Sequence, residues 1–276
     1  MSPALLSSNA AATRLERAKE WLRELGPSGQ VLVVAPTLEA AAELTRAAVS
    51  EASFGWQRLT SGRLWATLAA GELAKRGLVV LGPLALEAVC ARLLFTLGQA
   101  KALGSLQHAA EQPGLPRALA RTLLELRLAG ATDAQVEAER PDLGRLLAAY
   151  ENELARAGFA DRAEVLRLAA ACLRDPQARP PLPLKEVVLL DPELRSALDA
   201  DALAALAGRG RVRVVLPEAD SRALQLASQA LGCAAVSLDA GEPRGSLQRV
   251  QRLTFAEATP LPDELESLGP APLGAR

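Results

Sequence analysis

Polar side chains able to bind an anion stand directly after an apolar run near the start of the chain. Residues 31–35 form a continuous, valine-rich apolar run, which is typical of a strand covered on both faces. Pro36 cannot donate a hydrogen bond to a sheet and ends this strand. Thr37 then stands where it can cap a helix that places Ala41 and Leu44 on one apolar stripe. Since parallel α/β sheets bind ligands at the carboxyl ends of their strands, Thr37 is a candidate binding residue.

A second candidate anion site follows the short apolar stretch at residues 56–59. Thr60, Ser61 and Arg63 could hold a phosphate through their hydroxyls, through backbone amides and through a guanidinium. The same residues could instead form an ordinary helix cap, which is the interpretation that the spacing somewhat favours. Both interpretations remain open at the level of the sequence.

The turn that would hold a nucleoside triphosphate lacks the residues that this task requires. A phosphate-binding loop has the pattern G-x-x-x-x-G-K-[ST], because glycine amides wrap the phosphates, lysine supplies charge and the hydroxyl binds magnesium. In residues 6–13, Leu6 and Ala11 replace the glycines, Ala12 replaces the lysine, and only Thr13 keeps the expected type. We therefore expect that this chain does not bind ATP and has no intact nucleotide site.

Asp191 follows the apolar residues 187–190, as the acid that orients magnesium in nucleotide hydrolases does. Without a phosphate loop, the favoured interpretation of Asp191 is structural, as the cap of a helix entered at Pro192. Glu193 lies two residues further on, and Pro192 occupies the place of the usual neighbouring acid. A weak nucleotide hydrolase that uses Asp191 and Glu193 is the alternative.

Other residue types exclude several classes of chemistry. His108 is the only histidine, which excludes a histidine-based catalytic triad and a zinc site built on several histidines. Cys90, Cys172 and Cys233 are far apart and form no C-x-x-C pair, so they are expected to be thiols in a reducing compartment. We therefore predict no catalytic residue, metal site or cofactor in this chain.

Alternating arginines precede one of the later apolar runs. Arg209, Arg211 and Arg213 alternate with small or apolar residues and so share one face where a strand begins. Protection of an edge strand explains this pattern better than DNA binding does.

The order of the apolar runs predicts the fold class and the domain organisation. The first 76 residues alternate between short strand patterns and helical patterns, which is the rhythm of a parallel sheet. About a hundred helical residues without a convincing strand follow, and strand patterns return from residue 186. We predict an α/β fold, with a P-loop-like parallel sheet flanked by helices from residues 1–76 and 185–255. An all-helical subdomain with its linker is inserted at residues 77–184, and residues 256–276 are expected to be a flexible tail.

The composition fits a protein outside the membrane. Half of the 276 residues are hydrophobic, which supplies a sizeable core, and the net charge of −1 gives no general attraction to nucleic acid or to acidic lipid. The first residues lack the basic and apolar regions of a signal peptide, and no apolar run approaches 18 residues. We expect a cytoplasmic protein with no membrane partner.

Several stretches together resemble a known family. Residues 31–41 (VLVVAPTLEAA) resemble the strand-Pro-Thr-helix motif of superfamily I DNA helicases, and residues 59–64 (LTSGRL) resemble their next DNA-contacting motif. Residues 113–130 and 150–161 are similar to AddB-like proteins of the RecB-family PD-(D/E)XK exonuclease group. Residues 186–193 look like a degenerate second nucleotide motif, and residues 247–255 like the segment that leads into a second helicase domain.

The resemblance implies a function in the repair of DNA double-strand breaks. In such proteins a helicase-like portion, often inactive as a motor, precedes a magnesium-dependent nuclease, and the nuclease motif is not found in this chain. The implied function is a non-catalytic scaffold that binds the backbone of single-stranded DNA or of a duplex end, or that binds an AddA-like helicase subunit. Thr37, Thr60, Ser61 and Arg63 would then position phosphates. A purely structural module, which docks a partner through the helical block, is a further alternative.

Overall fold

A parallel six-stranded sheet forms the centre of the molecule, in a computed structural model that describes residues 4–49 and 53–239. The strand order is β3-β2-β6-β7-β1-β8, and every neighbouring pair is parallel. The predicted α/β class with a parallel sheet flanked by helices is confirmed. The strands of this sheet are β1 (Ala4–Ser7), β2 (Val31–Val34), β3 (Trp56–Leu59), β6 (Glu186–Leu190), β7 (Arg211–Leu216) and β8 (Val236–Ser237). Strands β4 (Val79–Val80) and β5 (Phe159–Ala160) form a separate pair.

Helices connect the strands and cover both faces of the sheet. They are α1 (Ala11–Leu25), α2 (Leu38–Ala48), α3 (Ser61–Arg76), α4 (Pro83–Gln99), α5 (Leu115–Leu128), α6 (Asp133–Glu139), α7 (Pro141–Ala157), α8 (Arg162–Arg174), α9 (Ala197–Ala207) and α10 (Ser221–Leu231), with a 3-10 helix at Gly104–Ala109. Helices α1 and α2 pack on one face, and α3, α8, α9 and α10 pack on the other.

The interior strands are apolar on both sides because both faces are covered. Val31 and Val33 of β2 point into the layer that α1 and α2 cover, whereas Leu32 and Val34 point into the opposite layer. This alternation follows from the two-residue period of a strand. Continuous burial from residue 31 to residue 35 explains why the sequence shows an unbroken apolar run there.

The middle block contains a short strand pair and is therefore not all-helical. Strand β4 pairs in parallel with β5, joining Val79 to Phe159 and Val80 to Ala160. Two-residue strands are too short to produce a period-two pattern, so the sequence did not reveal them. Helices α4, α5 and α7 share a second apolar core around Leu123, Leu147 and other leucines.

Helix α8 belongs to the main core, although it falls within the block predicted as an insertion. Its Val165, Leu166 and Ala169 pack in the same cluster as Leu68 of α3 and Leu203 of α9. The chain therefore rejoins the sheet layer before the proline-rich stretch at residues 175–183, and not after it. The predicted tail at 256–276, and residues 240–255 of the predicted sheet domain, lie outside the described residues.

Strand β7 is interior, so the predicted edge role of its arginines is wrong. It lies between β6 and β1. Arg213 is buried, donates from Nη1 to the carbonyl oxygen of Trp21 at 3.3 Å and pairs with Glu24 at 3.3 Å. Burial and the nearby charge of Arg211 lower the pKa of Arg213, and Glu24 opposes that shift. These contacts fix α1 over the sheet.

A buried ionic cluster joins the helical block to the main core. Arg127 of α5 lies 2.8 Å from Asp161, which is fully buried and caps α8 by accepting a hydrogen bond from the backbone of Glu164 at 2.9 Å. Arg127 also pairs with Glu151. The Tyr150 hydroxyl donates to Asp161 at 3.5 Å, and burial together with the Asp161 charge raises the pKa of Tyr150. A buried carboxylate with these partners is tolerated because its charge is compensated.

We predict that Asp161→Asn destabilises the protein by about 3 kcal/mol, since it leaves the buried Arg127 guanidinium without its main counter-charge. Asp201→Asn is the matched control, because Asp201 makes an exposed ion pair with Arg174 and is expected to cost at most about 1 kcal/mol. Urea unfolding of both variants measures the difference. Equal effects of the two substitutions would contradict a special role for the buried cluster.

Candidate functional site: the carboxyl edge of the sheet

The residues directly after the six strands form one surface, which we call the carboxyl edge. All six strands are parallel, so their carboxyl ends lie together. In sheet order the edge contains Thr60 and Ser61 after β3, Thr37 after β2, Asp191 after β6, Glu218 after β7, Ser8 and Asn9 after β1, and Asp239 after β8. This is the side on which open α/β sheets bind ligands.

The β1–α1 turn is closed around the side chain of Arg14. Only residues 8–10 separate β1 from α1. Nη1 of Arg14 donates to the carbonyl oxygen of Ser8 at 2.7 Å and to that of Asn9 at 3.2 Å. A turn that binds phosphate points its N–H groups at the ligand. Here two carbonyl oxygens point instead at a cation of the same chain.

Asp191 is the second half of this closure. Nε of Arg14 donates to Oδ1 of Asp191 at 2.8 Å and Nη2 donates to Oδ2 at 3.1 Å, so both carboxylate oxygens are engaged by one guanidinium fork. Asp191 has a φ of 45°, in the left-handed region, and its N–H donates to the carbonyl oxygen of Val215 at 2.9 Å. Aspartate tolerates this conformation better than most residues do.

The interpretation of Asp191 as a helix cap is wrong. Helix α9 begins at Ala197, and its cap is Ser196, whose hydroxyl accepts from the backbone of Asp199 at 3.2 Å. Residues 192–195 form an irregular connection between β6 and that helix. The acid at the end of β6 therefore pairs with α1 across the edge and does not cap the helix after it.

The carboxylate of Asp239 accepts hydrogen bonds from donor groups of the same turn. The Ser8 hydroxyl donates to Oδ1 of Asp239, and the backbone N–H of Asn9 donates to Oδ2 of Asp239 at 2.7 Å. The Asn9 side chain accepts from the backbone N–H of Ala219 at 2.9 Å and lies 3.5 Å from Glu218. The turn thus bonds to the ends of β7 and β8, and negative groups of the chain stand where a phosphate would be bound.

Thr13 lies in the first turn of α1 and is half-buried. Residues 6–13 do form a strand-to-helix turn, as the sequence predicts. The assignment of Thr13 to a degenerate nucleotide site stays a prediction from the sequence. The partners it would need, a lysine and a glycine-rich turn, are replaced by Ala12 and by the closed turn described above.

The two candidate threonines act as helix caps. The Thr37 hydroxyl accepts from the backbone N–H of Ala40 at 3.1 Å, and the Thr60 hydroxyl accepts from that of Arg63 at 3.4 Å. Each hydroxyl satisfies an amide at a helix start, which stabilises the helix and shapes the exposed end. Thr37 and Thr60 therefore contribute to the edge mainly through the backbone they order.

Ser61 and Arg63 differ sharply in their accessibility. Ser61 is buried, and its hydroxyl accepts from the backbone N–H of Glu193 at 3.4 Å. Arg63 is exposed, and among residues 4–49 and 53–239 no ion pair or hydrogen bond engages its guanidinium. Of the four predicted binding residues, Arg63 alone offers a charge that is available to a ligand within this described part.

Two further arginines contact the side chain of Glu193, the residue whose backbone N–H donates to Ser61. Nη2 of Arg195 lies 2.9 Å from Glu193, and Nη1 of Arg162 lies 3.6 Å from it, while Arg162 also pairs with the buried Asp199 at 2.9 Å. Arg195 is largely exposed. Glu193 is thus an acid shared by two guanidiniums, and together with Asp199 it balances their charge, so the positive charge left over in this part of the edge is that of Arg63.

Sequence reasoning missed Arg14, Asp239 and Arg195 as residues of the edge. Arg14 stands directly after the pattern of a phosphate loop, where no motif assigns it a role. A basic residue one turn into α1, together with an acid at the end of β6, was the available signal for a closing ion pair. Asp239 and Arg195 carry no local signal, because only the strand order brings them to the turn and to Ser61.

The described residues hold neither a metal-ligand cluster nor a membrane-spanning helix. Within residues 4–49 and 53–239, no group of three or more His, Cys, Asp or Glu side chains is placed to hold a metal ion. Over the same ranges, none of the helices has the length and apolar character needed to cross a membrane.

We predict that Arg14→Met costs about 2–4 kcal/mol of stability, because Asp191 and the carbonyl oxygens of Ser8 and Asn9 lose their donor. In a double-mutant cycle with Asp191→Asn, the coupling is expected to be about 1–3 kcal/mol. Arg17→Met, one turn later on α1, is the control and is expected to cost at most about 1 kcal/mol. Denaturant unfolding supplies all four corners of the cycle, and additive effects would refute the closing pair.

Comparison of the chain with models of known protein families finds no match, and comparison with curated proteins finds no match either. The likeness to helicase-like domains of RecB-family nucleases therefore remains a prediction from the sequence motifs. What bears on function is the arrangement at the carboxyl edge.

Proposed function

We propose that this chain is a non-catalytic, helicase-like scaffold domain of a DNA repair nuclease, acting in the cytoplasm. It binds the phosphate backbone of DNA along the carboxyl edge of its sheet, on the β3 side. The β1 side of the same edge, where a nucleotide would bind, is closed. An AddA-like helicase subunit is a candidate partner.

The observation that carries the proposal is the Arg14–Asp191 pair. A nucleotide hydrolase needs an accessible acid for magnesium and free amides for phosphate. Both oxygens of Asp191 are engaged by Arg14, and the amide of Asn9 is engaged by Asp239. The alternative of a weak hydrolase that uses Asp191 and Glu193 is disfavoured, because Glu193 is likewise paired with Arg162 and Arg195.

Support for DNA binding comes from the N-terminal end of α3. The helix is sixteen residues long, and its first turn exposes Gly62 and Arg63. Exposed Arg195 pairs with Glu193, whose backbone N–H donates to the Ser61 hydroxyl at the start of the same helix. Guanidiniums and helix-start amides are the groups that bind phosphate oxygens. Such contacts hold the backbone and carry no base sequence information, so the proposed binding is independent of sequence.

We predict that Arg63→Ala weakens binding of a fluorescein-labelled single-stranded oligonucleotide, and that it lowers the slope of log affinity against log salt concentration by about 1. Fluorescence anisotropy at several salt concentrations measures both quantities, with single-stranded and duplex probes compared. Arg222→Ala is the matched control. Arg222 lies in the first turn of α10, on the other side of the edge, and its guanidinium also has no partner among the described residues.

The outcomes separate the interpretations clearly. A loss of oligonucleotide affinity in Arg63→Ala but not in Arg222→Ala supports phosphate binding at the start of α3. Absence of binding at low salt, or binding that is indifferent to salt, contradicts the proposal. Equal losses in both variants would indicate nonspecific attraction to the whole edge.

A further inference from the structure

The helical block carries an apolar stripe along the exposed side of α4. Leu84, Ala88, Ala91 and Phe95 recur at intervals of four, three and four residues, so they lie on one face of the helix. All four are exposed, Leu84 at 80% and Phe95 at 69%. From Leu84 to Phe95 the stripe runs for about 16 Å along the helix.

A groove lies directly beside this stripe. It is a cavity of about 250 Å³ between α4 and the β4–β5 pair, and its lining is formed by Leu81, Ala85, Ala88, Val89, Arg92 and Phe159. Ala88 belongs to both features, so the stripe and the groove are continuous. Val79 and Val80 of β4, which directly precede Leu81 and pair with Phe159 and Ala160 of β5, are also exposed. A contiguous apolar surface with an adjoining concavity is typical of a protein-binding site.

The charges around the groove indicate the chemistry of its occupant. Arg92 lines the groove and pairs with Glu153 of α7, and Arg156 pairs with the same carboxylate at 2.8 Å. Glu153 is mostly buried, whereas both arginines are exposed, so the groove flank carries excess positive charge. Glu87 is the acid of α4 nearest the stripe, and it lies about 140° around the helix from Arg92, away from the groove.

We infer that this surface binds an amphipathic helix of a partner protein. The occupant places a line of leucine-like side chains against the α4 stripe and the groove, and it directs carboxylates at Arg92 and Arg156. The straight course of the stripe fits the ridges of a second helix. The inference uses no residue of the carboxyl edge, so failure of DNA binding there leaves it unaffected.

The test uses two synthetic helical peptides that differ only in charge. Both carry leucines at positions i, i+4, i+7 and i+11. One carries glutamates along a single flank of the stripe, and its companion carries glutamines there. Binding to the full chain is measured by fluorescence anisotropy. The glutamate peptide is expected to bind saturably and more tightly than the glutamine peptide.

Variants of the full chain then assign the binding to the surface. Phe95→Ser and, independently, Leu84→Ser are each expected to lower the affinity of the chain for the glutamate peptide at least about tenfold, as loss of a central apolar anchor does. Phe54→Ser is the matched control, because Phe54 is a phenylalanine outside the helical block that is even more exposed than Phe95, at 86%. Arg92→Gln is expected to abolish the preference for the glutamate peptide while retaining most of the binding of the glutamine peptide.

Each remaining outcome overturns the inference. It fails if neither peptide binds, if both Phe95→Ser and Leu84→Ser leave binding unchanged, or if the two peptides bind the wild-type chain equally. It also fails if the wild-type chain dimerises in sedimentation and Phe95→Ser makes it monomeric, since a second copy would then cover the stripe. Unchanged thermal unfolding of the three serine variants shows that lost binding is not lost folding.

Discussion

The ion pair between Arg14 and Asp191 determines what the carboxyl edge of this sheet can do. It joins the first helix to the end of β6, and it directs the carbonyl oxygens of the β1–α1 turn towards a cation of the chain itself. Because Asp191 has a left-handed backbone and both of its carboxylate oxygens are engaged, the side chain cannot serve a ligand without giving up the pair. The β1 side of the edge is thus occupied by a structural contact.

The Arg14–Asp191 pair closes only the β1 side of the carboxyl edge, and the β3 side keeps groups that are exposed to a ligand. On the β3 side, caps at Thr37 and Thr60 order the starts of two helices, and Arg63 and Arg195 remain exposed. The helical block is held to this frame by the buried pair of Arg127 with Asp161, at the start of α8. That pair lies where the second apolar core meets the main core, and it holds α5 against the start of α8.

The sequence predicts the interior strands β2, β6 and β7 well, because they are buried on both faces and therefore show nearly continuous apolar runs. The run at residues 31–35 and its cap at Thr37 were readable, since burial on both faces demands continuous apolar residues. The capping box of α6, formed by Thr132 and Gln135, likewise depends only on residues close together in the sequence. Local patterns of this kind need no knowledge of which strands become neighbours.

Features that depend on strand order could not be read in advance. Whether Arg213 lies on an edge strand or inside the sheet is decided by the position of β7 between β6 and β1. The same holds for the candidate site: Thr37 and Thr60 were identified as possible caps, but the burial of Ser61 follows from its contact with Glu193, 132 residues later. Asp191 was assigned to the wrong partner because the cap hypothesis considered only the following helix and not α1.

Closure of the β1 side of the carboxyl edge by the chain's own side chains is the interaction on which the proposed function depends. It is tested most directly by calorimetric titration of the full chain with ATP and magnesium. We expect no heat beyond dilution, with and without magnesium, because Arg14 and Asp239 already engage the groups that would bind phosphate and metal. Saturable, magnesium-dependent binding of ATP to the wild-type chain would contradict this account.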